Sequence, residues 1–322
     1  MMQVSLPLLN EDPADFEDFY TLKIEPLLPQ LRAECKQADG WGIACIGAGL
    51  LAAGAIVCYY THYLSGEQAS WFFACCFAIL IFGVYKYAQK NDRFTSDYKS
   101  ALIKTIMDHV CPGLTYKPDD FIDTKEYKSS SLFRHRFDYY DGNDYIEGIV
   151  NNVPFHCSEL HTQCDYSTSS QMTIFKGLFF VAGINNRFAG GTYIWPRGGT
   201  PFSNMLMDQY ISKMPMPKVS AMHFNDPEFE KYFYVSSTWP SQANEILTGE
   251  MRQAMVRLKK GLNLALSFSF VVGHCYIAVP AWIDLLEPSA YDPGDKEEIQ
   301  KYFLTLRVIP YILSELPLSS LQ

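Results

Sequence analysis

The chain has 322 residues, of which 48% are hydrophobic and 15% aromatic, so it can form one large or two modest domains and is not intrinsically disordered. Its 26 Lys and Arg residues are outnumbered by 35 Asp and Glu residues, and a formal net charge of -9 disfavours binding to nucleic acid. The mean hydropathy of -0.06 is typical of a soluble protein, but it averages over windows of very different character.

The sequence predicts an N-terminal cytoplasmic arm over residues 1–40. Between Asp15 and Gln37, apolar residues recur at helical spacing, and Pro26 and Pro29 interrupt this stripe. We therefore expect two short amphipathic helices in the arm.

Two apolar windows follow, Trp41–Tyr60 and Ala69–Ala88. The first contains no charged residue, and the second contains none before Lys86. At about 1.5 Å per residue, each is long enough to cross a hydrocarbon core of about 30 Å. Lys and Arg flank the pair but are absent from the loop Thr61–Ser70, which places that loop on the exported side and both termini in the cytoplasm. The sequence thus predicts a transmembrane hairpin over residues 41–88.

This hairpin is expected to anchor the protein and not to transport a solute. Neither window carries Asp, Glu, His or Arg near its middle, where proton relays and ion paths need them. Small residues such as Gly47 and Gly54 would let helices approach closely, either within the hairpin or between two copies of the chain. The sequence leaves both arrangements open, and the second means self-association.

The sequence of residues 95–322 predicts one cytoplasmic α+β domain built on an antiparallel sheet with flanking helices. It begins with a helix over Ser96–Val110, after which β-branched and aromatic runs alternate with turn signals. Strands are predicted at Tyr145–Val150, Val153–Leu160, Met172–Ile184, Thr192–Trp195, Phe233–Ser236, Leu264–Val272 and Cys275–Val279, with a hairpin at Gly273-His274. Further helices are predicted at Asp226–Lys231, at Pro240–Gly261 with a break at Thr248-Gly249, and at Asp295–Leu316.

Several segments, in this order along the chain, resemble one bacterial family. They are DFYTLKIEPLLPQLRAECKQ before the hairpin, then DYIEGIVNNVPFHCSELHTQ, TIFKGLFFVAGINNRFAGGTYIWPR and LSFSFVVGHCYIAVP. The chain resembles the bacterial membrane proteins called domain of unknown function 3137. That resemblance implies an inner-membrane protein with two spans and a cytoplasmic domain, and it makes a LemA-type membrane protein one expected partner. It implies no activity, cofactor or catalytic residue.

The densest cluster of reactive side chains is FHCSELHTQC. On a strand, Cys157, Glu159 and His161 point to the same face, and Cys164 follows shortly after. Thiolate, carboxylate and imidazole groups all bind zinc, so this spacing permits a metal site. The alternative is a half-buried strand with an ordinary cysteine, and the composition favours that alternative.

Four cations lie in the second half of one predicted helix, and they are Arg252, Arg257, Lys259 and Lys260. They could orient the domain on the anionic inner leaflet of a membrane. The alternative is ordinary solvation, because cations are favourable near the C-terminus of a helix.

The leading functional hypothesis is a membrane-anchored protein without enzymatic activity or cofactor. Its cytoplasmic domain would bind protein or lipid headgroups in an envelope-associated assembly, and the Met- and Pro-rich arm Phe202–Lys218 is an expected adaptable contact. The rival hypothesis is a membrane-tethered hydrolase or metalloenzyme that uses Cys157, Glu159 and His161. No nucleophile motif such as G-x-S-x-G supports that rival.

Overall fold

The computed structural model describes residues 13–30, 32, 47, 49–50, 53–54, 71, 74–75, 77–86, 99–167, 170–185, 190–197, 219–281, 285–287 and 294–321. These residues form two compact units. The first contains the described residues of 1–16, 106–286 and 300–322, and the second contains those of 17–105 and 287–299. The sheet and the surfaces considered below belong to the first unit.

The first unit is built on an antiparallel sheet. Its strands are β1 Thr115–Lys117, β2 Tyr139–Val150, β3 Val153–Ser167, β4 Ser170–Gly183, β5 Gly191–Pro196, β6 Ser220–Met222, β7 Phe233–Ser237, β8 Ser267–Val271 and β9 His274–Pro280. They are arranged in the order β1-β2-β3-β4-β9-β8-β5-β7-β6, and every neighbouring pair is antiparallel. The predicted α+β class with an antiparallel meander is therefore confirmed.

A continuous row of paired apolar residues crosses this sheet. The row runs through Ile146, Cys157, Phe180, Ile277, Phe268, Ile194 and Val235, and all of them are buried. Burying an aliphatic or aromatic side chain of this size contributes about 1.5–3 kcal/mol. The pattern of β-branched and aromatic residues in the strands therefore fixes the register of the sheet.

Seven α-helices are described from their first to their last residue. They are α1 Pro13–Phe19, α2 Lys104–Val110, α3 Thr124–Ser129, α4 Pro227–Tyr232, α5 Pro240–Ile246, α6 Gly249–Leu262 and α7 Lys296–Glu315. Asp123, Asp226 and Thr248 cap α3, α4 and α6 by accepting a bond from a backbone N–H in the first turn. Short π-helical turns cover Tyr20–Ile24 and Lys99–Ile103, and a 3-10 turn covers Leu318–Leu321.

Both faces of the sheet are covered within the first unit. On one face, Tyr127 of α3 packs against Phe179, and the Trp195 indole donates to the carbonyl of Leu132, 3.4 Å away. On the other face, Phe229 of α4 packs against Phe233, with ring centroids 5.3 Å apart. The sheet is thus the middle of three layers.

Some predicted boundaries were wrong. Of the helix predicted from Ser96, the described part is π-helical over Lys99–Ile103 and α-helical over Lys104–Val110, and β8 begins at Ser267 instead of Leu264. The turn of the β8–β9 hairpin consists of Val272 and Gly273 and not of Gly273 and His274. The sequence did not predict β1, β6 or α3, and the predicted contact arm Phe202–Lys218 lies outside the described residues.

The predicted hairpin lies mostly outside the described residues. Of the second window, residues 77–86 are described without a gap and are helical. Among the helices that the structure describes, none is both long and apolar enough to cross a membrane.

Candidate functional site

The strand predicted to carry reactive chemistry is β3, and the first of its two cysteines, Cys157, is fully buried. Burial raises the pKa of the Cys157 thiol, and the nearby Asp144 carboxylate raises it further. Glu159 on the same face is also buried, and its Oε2 accepts a bond from the backbone N–H of Leu285 at 3.0 Å. The thiol is therefore protonated at neutral pH and unsuited to act as a nucleophile or metal ligand.

The predicted metal site is not assembled. Alternate residues of a strand lie about 6.8 Å apart, so Cys157 and His161 are separated by about 14 Å along β3. Ligands of one zinc ion lie only about 2.0–2.3 Å from the metal. In the described part of the chain, which includes Cys157, Glu159, His161 and Cys164, no group of three or more His, Cys, Asp or Glu side chains could hold a metal ion.

The opposite face of β3 is also engaged. His156 Nε2 lies 2.9 Å from Glu126 Oε2 of α3, and the Ser158 hydroxyl accepts a bond from the backbone N–H of Ile122 at 3.1 Å. Farther along, the Tyr127 and Thr162 hydroxyls are hydrogen-bonded at 3.2 Å. The expected half-buried strand is therefore covered on both faces in its central part, where it supports the core.

The four cations predicted to contact a membrane are largely compensated within the protein. Arg252 donates to Asp226 at 2.9 Å, Arg257 donates to Glu315 at 2.8 Å, and Lys260 pairs with Glu228. Partial burial lowers the pKa of Lys259. Because three of the four charges are paired with carboxylates, this part of α6 presents little net positive charge.

Three exposed apolar side chains lie at one end of the sheet. Ile149 near the β2–β3 turn is 68% exposed, Val272 in the β8–β9 turn is 62% exposed, and Trp239, two residues after β7, is 50% exposed. The pairing places all three at the same end, because Phe155 pairs with Ala182, Gly183 with His274, Gly191 with Val271, and Thr192 with Ser237. We call Ile149, Val272 and Trp239 the apolar row.

The apolar row spans much of the width of the sheet. At about 4.8 Å between strands, Ile149 on β2 is about 19 Å from Val272 after β8, and Val272 is about 10 Å from Trp239 after β7. Large apolar side chains that are exposed together at one edge of a folded unit mark interaction surfaces more often than isolated ones do.

A cleft of about 310 Å³ reaches the same end of the sheet. Asn151 of the β2–β3 turn lines it together with Glu250 and Arg257 of α6 and Glu315 of α7. The Arg257–Glu315 ion pair described above forms part of its wall, and Glu250 is exposed. No described residue forms an ion pair or side-chain hydrogen bond with the Glu250 carboxylate.

The C-terminal end of α7 lines part of this cleft. Leu313, Ser314 and Glu315 all line it, and so does Pro317. Because Pro317 has no N–H, the carbonyl of Leu313 lacks the usual donor four residues later. The last turn of α7 contains no basic residue. The cleft therefore holds the partial negative charge of a helix C-terminus beside two carboxylates and one guanidinium group.

The sequence reasoning missed the apolar row and the cleft. The Asn151-Asn152 turn was visible in the sequence, but Ile149, Val272 and Trp239 are far apart in the chain, and only the strand order brings them to one edge. Of the predicted residues, Arg257 alone lines the cleft.

A comparison with family models gives one match. Residues 173–318 match the family described as protein of unknown function DUF3137. This match supports the resemblance to that family that the sequence predicts. The DUF3137 region contains Trp239, Val272, Glu250, Arg257 and Glu315, whereas Ile149 and the reactive side chains of β3 precede it.

No curated protein matches the chain. Among solved structures, it is similar to the one described as the crystal structure of the mycobacterial trehalose monomycolate transport factor A, TtfA. The two chains are 10% identical, and the similarity covers 67% of this chain and 96% of that one, with a TM-score of 0.31.

Proposed function

We propose that this protein is a membrane-anchored binding protein of the bacterial inner membrane. In this proposal the hairpin over residues 41–88 is the anchor, both termini are cytoplasmic, and the α+β unit binds a partner protein through the apolar row. The observation that carries the proposal is the exposure of Ile149, Val272 and Trp239 at one end of the sheet.

The exposure of side chains in the second window supports the anchor. In the described part of this window, Leu80 is half-buried, but seven other large apolar and aromatic side chains are more than half exposed. They are Trp71, Phe77, Ile79, Ile81, Phe82, Val84 and Tyr85. Apolar side chains on all sides of a helix are unfavourable in water and favourable in hydrocarbon. A lipid environment therefore accounts for the exposure of these apolar side chains.

The chemistry of β3 favours binding over catalysis. A hydrolase or metalloenzyme that used Cys157 would need a thiolate, and burial opposes its formation. A partner of the LemA type or a second copy of the chain is compatible with an apolar contact surface, and the proposed experiment identifies which of them binds.

The experiment is photo-crosslinking in native membranes from single positions of the full-length protein. A photoreactive phenylalanine derivative replaces Ile149, Val272 or Trp239 in turn. Matched controls carry it at Tyr139 or Met172, which are also exposed but lie at the opposite end of the β2–β3–β4 strands.

We expect the same protein to be crosslinked from at least two positions of the apolar row and from neither control. The substitution Ile149→Asp should reduce the amount of this crosslinked protein that copurifies with the full-length chain, because a charge in an apolar contact must be desolvated. Crosslinks to lipid alone, or equal crosslinks from both ends of the sheet, would contradict the proposal.

A further inference from the structure

We draw no further inference here: the strongest candidate, the outer edge of β4 from Gln171 to Phe175 beyond the end of its pairing with β9 at Gly177, carries a register shift at Ile174, and nothing in the described part of the structure shows what covers it.

Discussion

Val272 combines backbone strain with exposure. Its φ of +46° lies in the left-handed region, and Gly273 follows with a φ of +79°. A β-branched residue in this region is disfavoured by about 1–2 kcal/mol, and two-residue hairpin turns of this kind prefer Asn-Gly. Because the side chain is 62% exposed, packing within the chain compensates little of this cost. Strain at an exposed apolar position is expected where the side chain serves an intermolecular contact.

Replacing Val272 by Asn should stabilise the protein and weaken partner binding. We expect the free energy of unfolding to increase by about 1 kcal/mol, because Asn adopts the left-handed conformation more readily. Urea unfolding of the full-length protein in detergent measures this change, and crosslinking from Ile149 measures binding. The reverse substitution Asn151→Val, at a turn residue with a φ of +49°, should destabilise the protein by a similar amount. An unchanged or lowered stability of Val272→Asn, or an unchanged stability of Asn151→Val, would contradict this account of the turn.

Buried thiols should be unreactive in the folded protein. Burial raises the pKa of both Cys157 and Cys275, so neither forms a thiolate at pH 8. Raising the pH from 8 to 9 should therefore not accelerate the alkylation of either thiol. The half-buried Cys164 is the internal control and should react with iodoacetamide faster than either. Peptide mass spectrometry measures the extent of labelling at each site. Rapid labelling of native Cys157 would restore the rival hypothesis of an enzyme.

At the scale of elements, Asp226 links α4 to α6. Its carboxylate accepts a bond from the backbone N–H of Phe229, which caps α4, and another from Arg252 of α6 at 2.9 Å. The Arg252 hydrogen bond is the main reason that the pKa of Asp226 lies below its usual range, with the Phe229 N–H acting in the same direction and burial opposing both. One side chain thus orders the short helix and fixes it to the longer one.

Two substitutions should separate these roles of Asp226. Asp226→Asn retains an acceptor for the cap and loses the ion pair, whereas Asp226→Ala loses both and should cost about 1 kcal/mol more. Because the folded pKa is lowered, the ionic contribution is fully present above the unfolded pKa of about 3.9 and is lost as the pH falls through the folded value. The difference in unfolding free energy between wild type and Asp226→Asn should therefore disappear in acid. Urea unfolding at several pH values measures it, and a pH-independent difference would contradict this assignment.

Local signals determined which elements could be predicted. The Asp226-Pro227 start of α4 and the Thr248 cap of α6 are short-range patterns, and both helices form where the sequence places them. Three-residue strands such as β1 and β6 have too few residues for a periodic pattern, and they form because a longer neighbour offers an edge. At β3, the alternation of side chains between the two faces was predicted correctly. Residues on the same face can still be far apart, and the distance between Cys157 and His161 is too long for both to bind one metal ion.

At the scale of the whole molecule, strand order carries the functional surface. The hairpins β2–β3, β3–β4 and β8–β9 follow from adjacent segments and were predictable. The pairing of β4 with β9 and of β5 with β8 joins segments that are far apart in sequence, and no local pattern specifies it. That pairing brings Ile149, Val272 and Trp239 to one edge. The candidate surface therefore depends on the least predictable level of the structure.

The anchor also belongs to the whole molecule, and charge substitutions in the second window test it. Phe77 and Ile81 lie one helical turn apart and are exposed, so Phe77→Lys combined with Ile81→Lys would place two charges near the middle of the proposed span. Each Lys near the centre of a membrane helix disfavours insertion by about 3 kcal/mol. We expect the double variant to be released from membranes by alkaline carbonate, whereas the wild type remains in the pellet.

Ile149→Lys is the matched control for this anchor test, because it makes the same change at an equally exposed residue of the sheet unit. It should remain with the membrane fraction, since a charge at that position adds no cost to insertion of the hairpin. Immunoblots of pellet and supernatant measure both variants. If the double variant stayed in the pellet and unfolded with the wild-type urea midpoint, the second window would not be embedded in lipid. Its exposed apolar face would then have to be covered by protein.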